Sequence, residues 1–513
     1  MTDPIAQLAE CLVTAGVDCA FGVSGSGSSY QLISALKQRG VRYVPISHEA
    51  VGPIAAGAYG LLTGTRAVAV SIKGPGLANM MGGMCAAYLE GYAPICIAEN
   101  YDDVVGVERM HKRVDQHTIA GSIVDGIYSL LDIGRLPVVL AKHQYVTRPL
   151  YIDLSKTTSP RRHQSDDAAT PASNAEIQAL FDDRFAAAPR VIAIVGSLVK
   201  RRRWESLVAA LQIPVFTTVQ AKGTIDEMRP NVAGIYTGAG KALALETALL
   251  PLADMVVTFG LRNMEILGVA DKSSFVNLDV AHHLATRDDV IVDESRFRHI
   301  MTRVADKPAW GLEIIERQAR RWQDYVNSYE WMPGQVFTML DALQSPHGLV
   351  LDTGTFCTIG EHIWRARPGR DFLGSSNGRN LGLSVPHALG AACARPGLPI
   401  FCVLGDGGIR YYMAEIRTIA AMQLPVCFIL MKDGRYGSIA SNVPVQPADP
   451  GIVEPLGTSW RDIIQAMGVE SGQASSAASF QRLLDAWDRT TPYFIEASFD
   501  PDIYLHVADA IRV

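Results

Sequence analysis

The chain has 513 residues, 48% of them apolar, and its 46 basic and 52 acidic side chains give a net charge of −6. That length suggests about three domains, each able to bury its own core, and the mildly acidic balance argues against general affinity for nucleic acid. No apolar run reaches membrane-spanning length, so no membrane partner is expected. The first ten residues, MTDPIAQLAE, lack a basic-then-apolar leader, and the eight cysteines form no Cys-x-x-Cys pair. Free thiols in a reducing cytoplasm are the expectation.

In chain order, short apolar runs alternate with helix-like stretches. Strands are expected at Asp18–Gly22, Tyr43–Ile46, Ala67–Ile72, Pro94–Glu99 and Pro149–Asp153. The polar, proline-containing run from Lys156 to Ala175 reads as a linker. A second series follows near Val191–Val195, Pro214–Thr217, Met255–Gly260 and Phe275–Leu278, then a charged helical stretch over Glu313–Tyr325. A third series starts near Pro333 and ends with a strand at Tyr493–Ser498. The expected fold class is α/β, with three parallel-sheet α/β domains. Their expected bounds are 1–155, 177–330 and 331–513, with a linker at 156–176.

The most informative stretch is IFCVLGDGGIRYYMAEIRTIAAMQLPVCFILMKDGRYGSI, from Ile400 to Ile439. A buried strand over Ile400–Leu404 stops at Gly405-Asp406-Gly407. A helix-like segment over Tyr411–Met422 follows, Pro425 closes it, and a second buried strand covers Val426–Met431 before Asp433-Gly434-Arg435. Two neighbouring parallel strands would each deliver an acidic oxygen to one sheet edge, where α/β proteins bind ligands. Mg²⁺ suits that geometry, because it takes few protein oxygens and leaves room for phosphate oxygens.

This stretch resembles the metal–diphosphate motif of thiamine-diphosphate-dependent enzymes, the group of the benzoylformate decarboxylases and acetolactate synthases. The resemblance runs over nearly the full length, in the order pyrimidine-binding, central and diphosphate-binding domain. It implies thiamine diphosphate and Mg²⁺ as cofactors, with Asp406, Asp433 and the Arg435 carbonyl on the metal. Asp433 departs from the pattern, since an Asn is usual there. In Ser47-His48-Glu49-Ala50, the resemblance makes Glu49 the acid that protonates N1′ of the cofactor's aminopyrimidine and so promotes the C2 carbanion. Gly74 and Asn79 lie in a Gly-Pro-Gly turn and the segment after it, which the family packs near the cofactor. Lys73, just before that turn, stands where small hydroxyl residues are common.

By the same resemblance, His111 and Lys112 occupy a place where relatives put active-site side chains, and Ser26 matches a substrate-contacting serine of benzoylformate decarboxylases. Thr355 and Phe356 lie at the diphosphate, the Arg379 carbonyl accepts from the 4′-amino group, and Leu381 wedges between the two rings. Gly405, Gly407, Gly408, Tyr411 and Tyr436 complete the expected cofactor contacts, while Glu415 and Thr418 are expected to be structural. The central domain holds FAD or a nucleotide in some relatives, but Gly238 and Gly240 form no Gly-x-Gly-x-x-Gly fingerprint, and a structural role is favoured.

The implied activity is non-oxidative decarboxylation of a 2-oxo acid, giving an aldehyde or an acyloin. Val70 and Met264 stand where benzoylformate-type decarboxylases place histidines, and Ile439 where pyruvate-type enzymes place a glutamate. An acetolactate-synthase-like carboligase is therefore the alternative. A non-catalytic binding or regulatory subunit is a second one, against which Glu49 and both aspartates argue. Lys73 and Lys112 need counter-charge if partly buried, so the expected substrate carries a second anionic group, unless they face solvent or pair with Asp102, Asp103 or Glu108. A homodimer or homotetramer is implied, with Glu49 and Asp406 of each site on different subunits.

Overall fold

The computed structural model describes residues 3–511 apart from 103–109, 144–145, 157–181, 184, 263–264, 267–274, 280–288, 292–293, 376, 444–446, 455–456 and 458. Met264, Asp103, Glu108 and all but the first residue of the expected linker lie outside the described residues.

Strands β1 (Val17–Gly22), β2 (Arg42–Pro45), β3 (Arg66–Ser71), β4 (Ile95–Glu99), β5 (Ile127–Ser129) and β6 (Leu150–Leu154) form the first sheet, in the order β2-β1-β3-β4-β6-β5. Strands β7 (Val191–Val195), β8 (Val215–Thr217), β9 (Val232–Ile235), β10 (Met255–Phe259), β11 (Phe275–Asp279) and β12 (Asp289–Ile291) form the second, ordered β12-β11-β10-β7-β8-β9. The third contains β13 (His347–Leu351), β14 (Arg370–Leu373), β15 (Ile400–Gly405), β16 (Val426–Lys432), β17 (Glu470–Ala474) and β18 (Tyr493–Ser498), ordered β14-β13-β15-β16-β18-β17. Every pairing is parallel. The fold is thus three parallel-sheet α/β domains, and the first and third sheets share one strand order.

Central strands are apolar on both faces, as parallel sheets covered by helices require. β16, VCFILMK, is buried along six of its seven residues. Five strands that none of the expected apolar runs announced, β5, β9, β12, β14 and β17, lie at sheet edges. Edge strands need only one apolar face and are kept short; β17 reads ESGQA. The helix expected over Tyr411–Met422 is shorter, Ala414–Ala421, and a single 3-10 turn over Gly408–Arg410 precedes it.

The first and third domains share a core. The Val51–Thr63 helix crosses the Ser384–Ala394 helix, both rich in small residues and buried on nearly every face. A Cβ added to Gly390 would lie 2.4 Å from the Ala55 carbonyl oxygen, so glycine lets the two backbones meet. Among the described residues all eight cysteines are free, and no helix is long and apolar enough to cross a membrane.

Candidate active site

The carboxyl ends of β15 and β16 lie side by side, with Gly405 opposite Met431. Asp406 follows the first strand and Asp433 the second. The Asp406 Oδ2 atom accepts from the Asp433 amide at 3.1 Å and the Gly434 amide at 3.0 Å. Asp433 Oδ1 accepts from the Arg435 amide at 3.3 Å, while the Arg435 side chain turns away to Asp502. Burial raises both carboxyls above the usual range. The Asp406 charge adds to burial at Asp433 and pushes it up to about 7. Two carboxylates forced together in this way suit a divalent cation, which would relieve their repulsion. Among the described residues no group of three or more His, Cys, Asp or Glu side chains could hold a metal, so a cation here would draw on two carboxylates and main-chain oxygen.

Beside the carboxylates, Leu381, Gly407 and Tyr436 meet. A Cβ on Gly407 would lie 2.8 Å from Tyr436 and 2.9 Å from Leu381. Underneath sits Asp352, at the end of β13. Its carboxylate accepts from the Thr353 amide (2.7 Å), the Gly382 amide (2.9 Å) and the Ser384 hydroxyl (2.9 Å), and burial pushes it up to about 6. Asp352 thereby ties the turn carrying Leu381 to Gly408, whose added Cβ would fall 2.3 Å from its Oδ2 atom. Thr355 begins the Thr355–Ile363 helix. The Phe356 side chain, 2% exposed, packs in the core under Gly405, so only its main chain is available to a ligand. Arg379 holds a left-handed backbone (φ 41°), and its guanidinium contacts Cys357 at 3.1 Å and Glu361 at 4.0 Å rather than the cleft. Tyr411 is 60% exposed.

The first sheet presents a second group at its own carboxyl edge. Glu49 follows β2, is 9% exposed, and its Oε2 atom accepts from Asn79 Nδ2 at 3.0 Å. Gly74 has φ +63°, and its amide donates to Gln116 Oε1 at 2.7 Å. An added Cβ at Gly74 would lie 1.8 Å from the Lys112 carbonyl oxygen, so the loop with His111 and Lys112 rests directly on this turn. Lys112 is itself left-handed, with φ 62°. The His111 carbonyl accepts from the Tyr101 hydroxyl at 3.1 Å.

Lys73 corrects one expectation. Its Nζ atom is 3.0 Å from Glu99 Oε2 and 5.1 Å from the centre of the Tyr101 ring, so the protein supplies its counter-charge and no substrate anion is required. Burial opposes the Glu99 charge, but the Ser29 hydroxyl (2.6 Å), the Ser29 amide (2.9 Å) and Lys73 outweigh it and hold the carboxyl below its usual range. Asp102, offered as a lysine partner, instead accepts from the Lys156 amide at 2.6 Å. Ser26 is exposed on a loop whose flanking Gly25 and Gly27 press against Glu99.

The structure therefore assembles the expected residues into two groups, one on each of the related sheets. Among the described residues no hydrogen bond joins Glu49 to the Asp406 group. The groups meet through Ser47, whose amide donates to Glu415 Oε1 at 2.5 Å, and through His48, whose ring lies 6.2 Å from that of Tyr412. Glu99, Gln116, Asp352 and Glu415 were not anticipated as parts of the site. Each is a buried polar residue; Glu99 and Asp352 stand at the ends of apolar runs, which was the available signal, whereas Gln116 and Glu415 lie among polar neighbours and carried none.

Two parallel-sheet domains of one topology, each with polar groups at its carboxyl edge, define the class. Residues 5–119 match the thiamine pyrophosphate enzyme N-terminal TPP binding domain, 182–289 its central domain and 352–497 its C-terminal TPP binding domain. The chain belongs to the thiamine pyrophosphate enzyme family. It is similar to the acetolactate synthase of Bacillus subtilis, 25% identical over 84% of this chain and 81% of that one. It is also similar to a probable 2-ketoarginine decarboxylase of Pseudomonas aeruginosa, 23% identical over 93% and 90% of the two chains. An alpha-keto-acid decarboxylase of Mycolicibacterium paratuberculosis is 26% identical over the same shares, 93% and 90%.

Proposed function

We propose that this chain decarboxylates a small 2-oxo acid with thiamine diphosphate and Mg²⁺. The observation that carries the reading is the pairing of Asp406 with Asp433 beside Leu381, opposite in the chain to a buried Glu49 oriented by Asn79. The bound cofactor would supply an electron sink for loss of CO₂. Asp406, Asp433 and the Arg435 carbonyl would hold the cation, and Leu381 with Tyr436 would shape the cleft beside it. Glu49 would be the acid for the cofactor's N1′ atom, with the Asn79 amide orienting its carboxyl. Domains 1–155, 177–330 and 331–513 divide these tasks, and a homodimer or homotetramer pairs Glu49 of one protomer with Asp406 of another.

Carboligation is the second reading, and one observation favours it. Val70 is a core residue of β3, 1% exposed, and Ile439 is 51% exposed, so neither position offers a proton to the product. Feeding a panel of 2-oxo acids and separating aldehyde from acyloin products decides between the two. No CO₂ release from any of them overturns both.

Of the two lysines, Lys112 remains as a receptor for a second anionic group on the substrate. The test is kcat/KM for a dianionic and a neutral-tailed 2-oxo acid in wild type and Lys112→Met. The dianion should lose roughly 1.5–3 kcal/mol of transition-state binding, and the neutral-tailed acid almost none. Equal losses remove the second anion from the proposal.

A further inference from the structure

The segment Ser47-His48-Glu49-Ala50 carries the acid of the first domain, yet its hold comes partly from the third. Glu415 is 1% exposed, at the start of the Ala414–Ala421 helix, and its Oε1 atom receives the Ser47 amide at 2.5 Å. The Thr418 hydroxyl, one turn on, lies 3.5 Å from the Ser47 hydroxyl. Tyr412 sets its ring against His48. From the other side the Pro75–Glu90 helix closes in: a Cβ on Gly83 would lie 1.9 Å from the Ala50 carbonyl oxygen. The turn is thus gripped between two helices, and Glu415 provides the shortest of the side-chain hydrogen bonds that reach it from the third domain.

The helix bearing Glu415 begins eight residues after Asp406, with the 3-10 turn at Gly408–Arg410 between them. A buried carboxylate is costly unless it is well used, and among the described residues Oε2 of Glu415 has no hydrogen-bond partner. What the carboxylate does is make the Oε1 contact to the Ser47 amide. We infer that Glu415 is a positioning residue for Glu49: by holding the Ser47 amide from the third domain, it sets where the Glu49 carboxyl stands. This rests on the reading of Glu49 as the acid at N1′.

The test compares Glu415→Ala, Glu415→Gln and Glu415→Asp with Glu49→Gln. Glutamine keeps an oxygen for the Ser47 amide, aspartate keeps the charge but withdraws the oxygen by one methylene, and alanine removes both. In the cofactor-free protein, backbone amide exchange of the peptide around Ser47 should quicken in the alanine and aspartate variants and stay as in wild type with glutamine. With thiamine diphosphate and Mg²⁺ bound, hydrogen–deuterium exchange at cofactor C2 should slow at least about tenfold in alanine and aspartate, with cofactor Kd changed less than about threefold. The aspartate variant carries the test if alanine does not fold. Wild-type C2 exchange in both alanine and aspartate overturns the inference, as does an equal loss in glutamine, which would make charge rather than position the cause. If Glu49→Gln itself leaves C2 exchange unchanged, it is the reading of Glu49 that fails.

Discussion

The side-chain amide of Asn79 donates a 3.0 Å hydrogen bond to Oε2 of Glu49, joining the second turn of one helix to the turn before another. On the proposed reading, Oε1 is then the oxygen left to face the cofactor. Glu49→Gln should keep the fold and lower kcat by about 10²-fold or more, because an amide cannot deliver a proton. Asn79→Ala should retain the acid but lose its orientation, with a smaller fall in kcat and little change in KM. Steady-state kinetics beside a thermal melt check both; unchanged kcat in Glu49→Gln would remove Glu49 from the chemistry.

Asp433 makes the metal-free protein sensitive to pH. Its carboxyl titrates near 7 in the folded chain but near about 3.9 once unfolded. Between those values the folded state keeps a proton that the unfolded state has released, so stability falls as pH rises through the window. Metal-free Asp433→Asn should therefore melt above wild type near about pH 8, with the gap shrinking toward about pH 4. Adding Mg²⁺ with thiamine diphosphate should reverse the order. A gap that does not change with pH would contradict this account.

Gly74 combines a left-handed backbone with an approach to the Lys112 carbonyl that no side chain could share. Gly74→Ala should cost about 2 kcal/mol or more in urea unfolding. It should also raise KM for the 2-oxo acid, since the loop with His111 and Lys112 must move. Wild-type stability and KM would show that the loop does not rest on this turn in solution.

In the second domain two buried carboxylates occupy backbone amides at the carboxyl ends of β7 and β9, the edge where parallel sheets place ligands. Glu246 accepts from the amides of Thr237 (2.7 Å), Gly238 (3.3 Å) and Gly240, and Glu265 accepts from the Ser197 amide (2.9 Å) and the Thr218 hydroxyl (3.0 Å). A phosphate there would meet two buried carboxylates instead of free donors. Purified protein should release neither flavin nor adenine nucleotide on acid extraction. Stoichiometric release of either would overturn the expectation.

Much of this was legible in the chain because parallel sheets write their central strands as apolar runs. The runs at Ile400–Leu404 and Val426–Met431 located both aspartates and put them on adjacent strands. Five of the six edge strands carried no such signature, and neither did the partners of the site. Lys73 looked unpaired because Glu99 lies 26 residues away in the chain, and Ser47 looked ordinary because Glu415 lies 368 residues away. Pairings of that range depend on how whole domains pack, and no local pattern records them.

The helix crossing at Gly390 sets a schedule for synthesis. The face of the Val51–Thr63 helix made by Val51, Ala55, Ala58 and Leu62 is covered by Val385, Ala388 and Ala392 from the other end of the chain. A ribosome adding about 5–20 residues per second makes the first helix roughly 15–60 s before its cover exists. For that interval a completed first domain would hold a greasy stripe open to every neighbouring nascent chain. A fragment ending after the first sheet would keep that stripe permanently, so truncation should yield an aggregate or a chaperone client rather than a free-standing half enzyme.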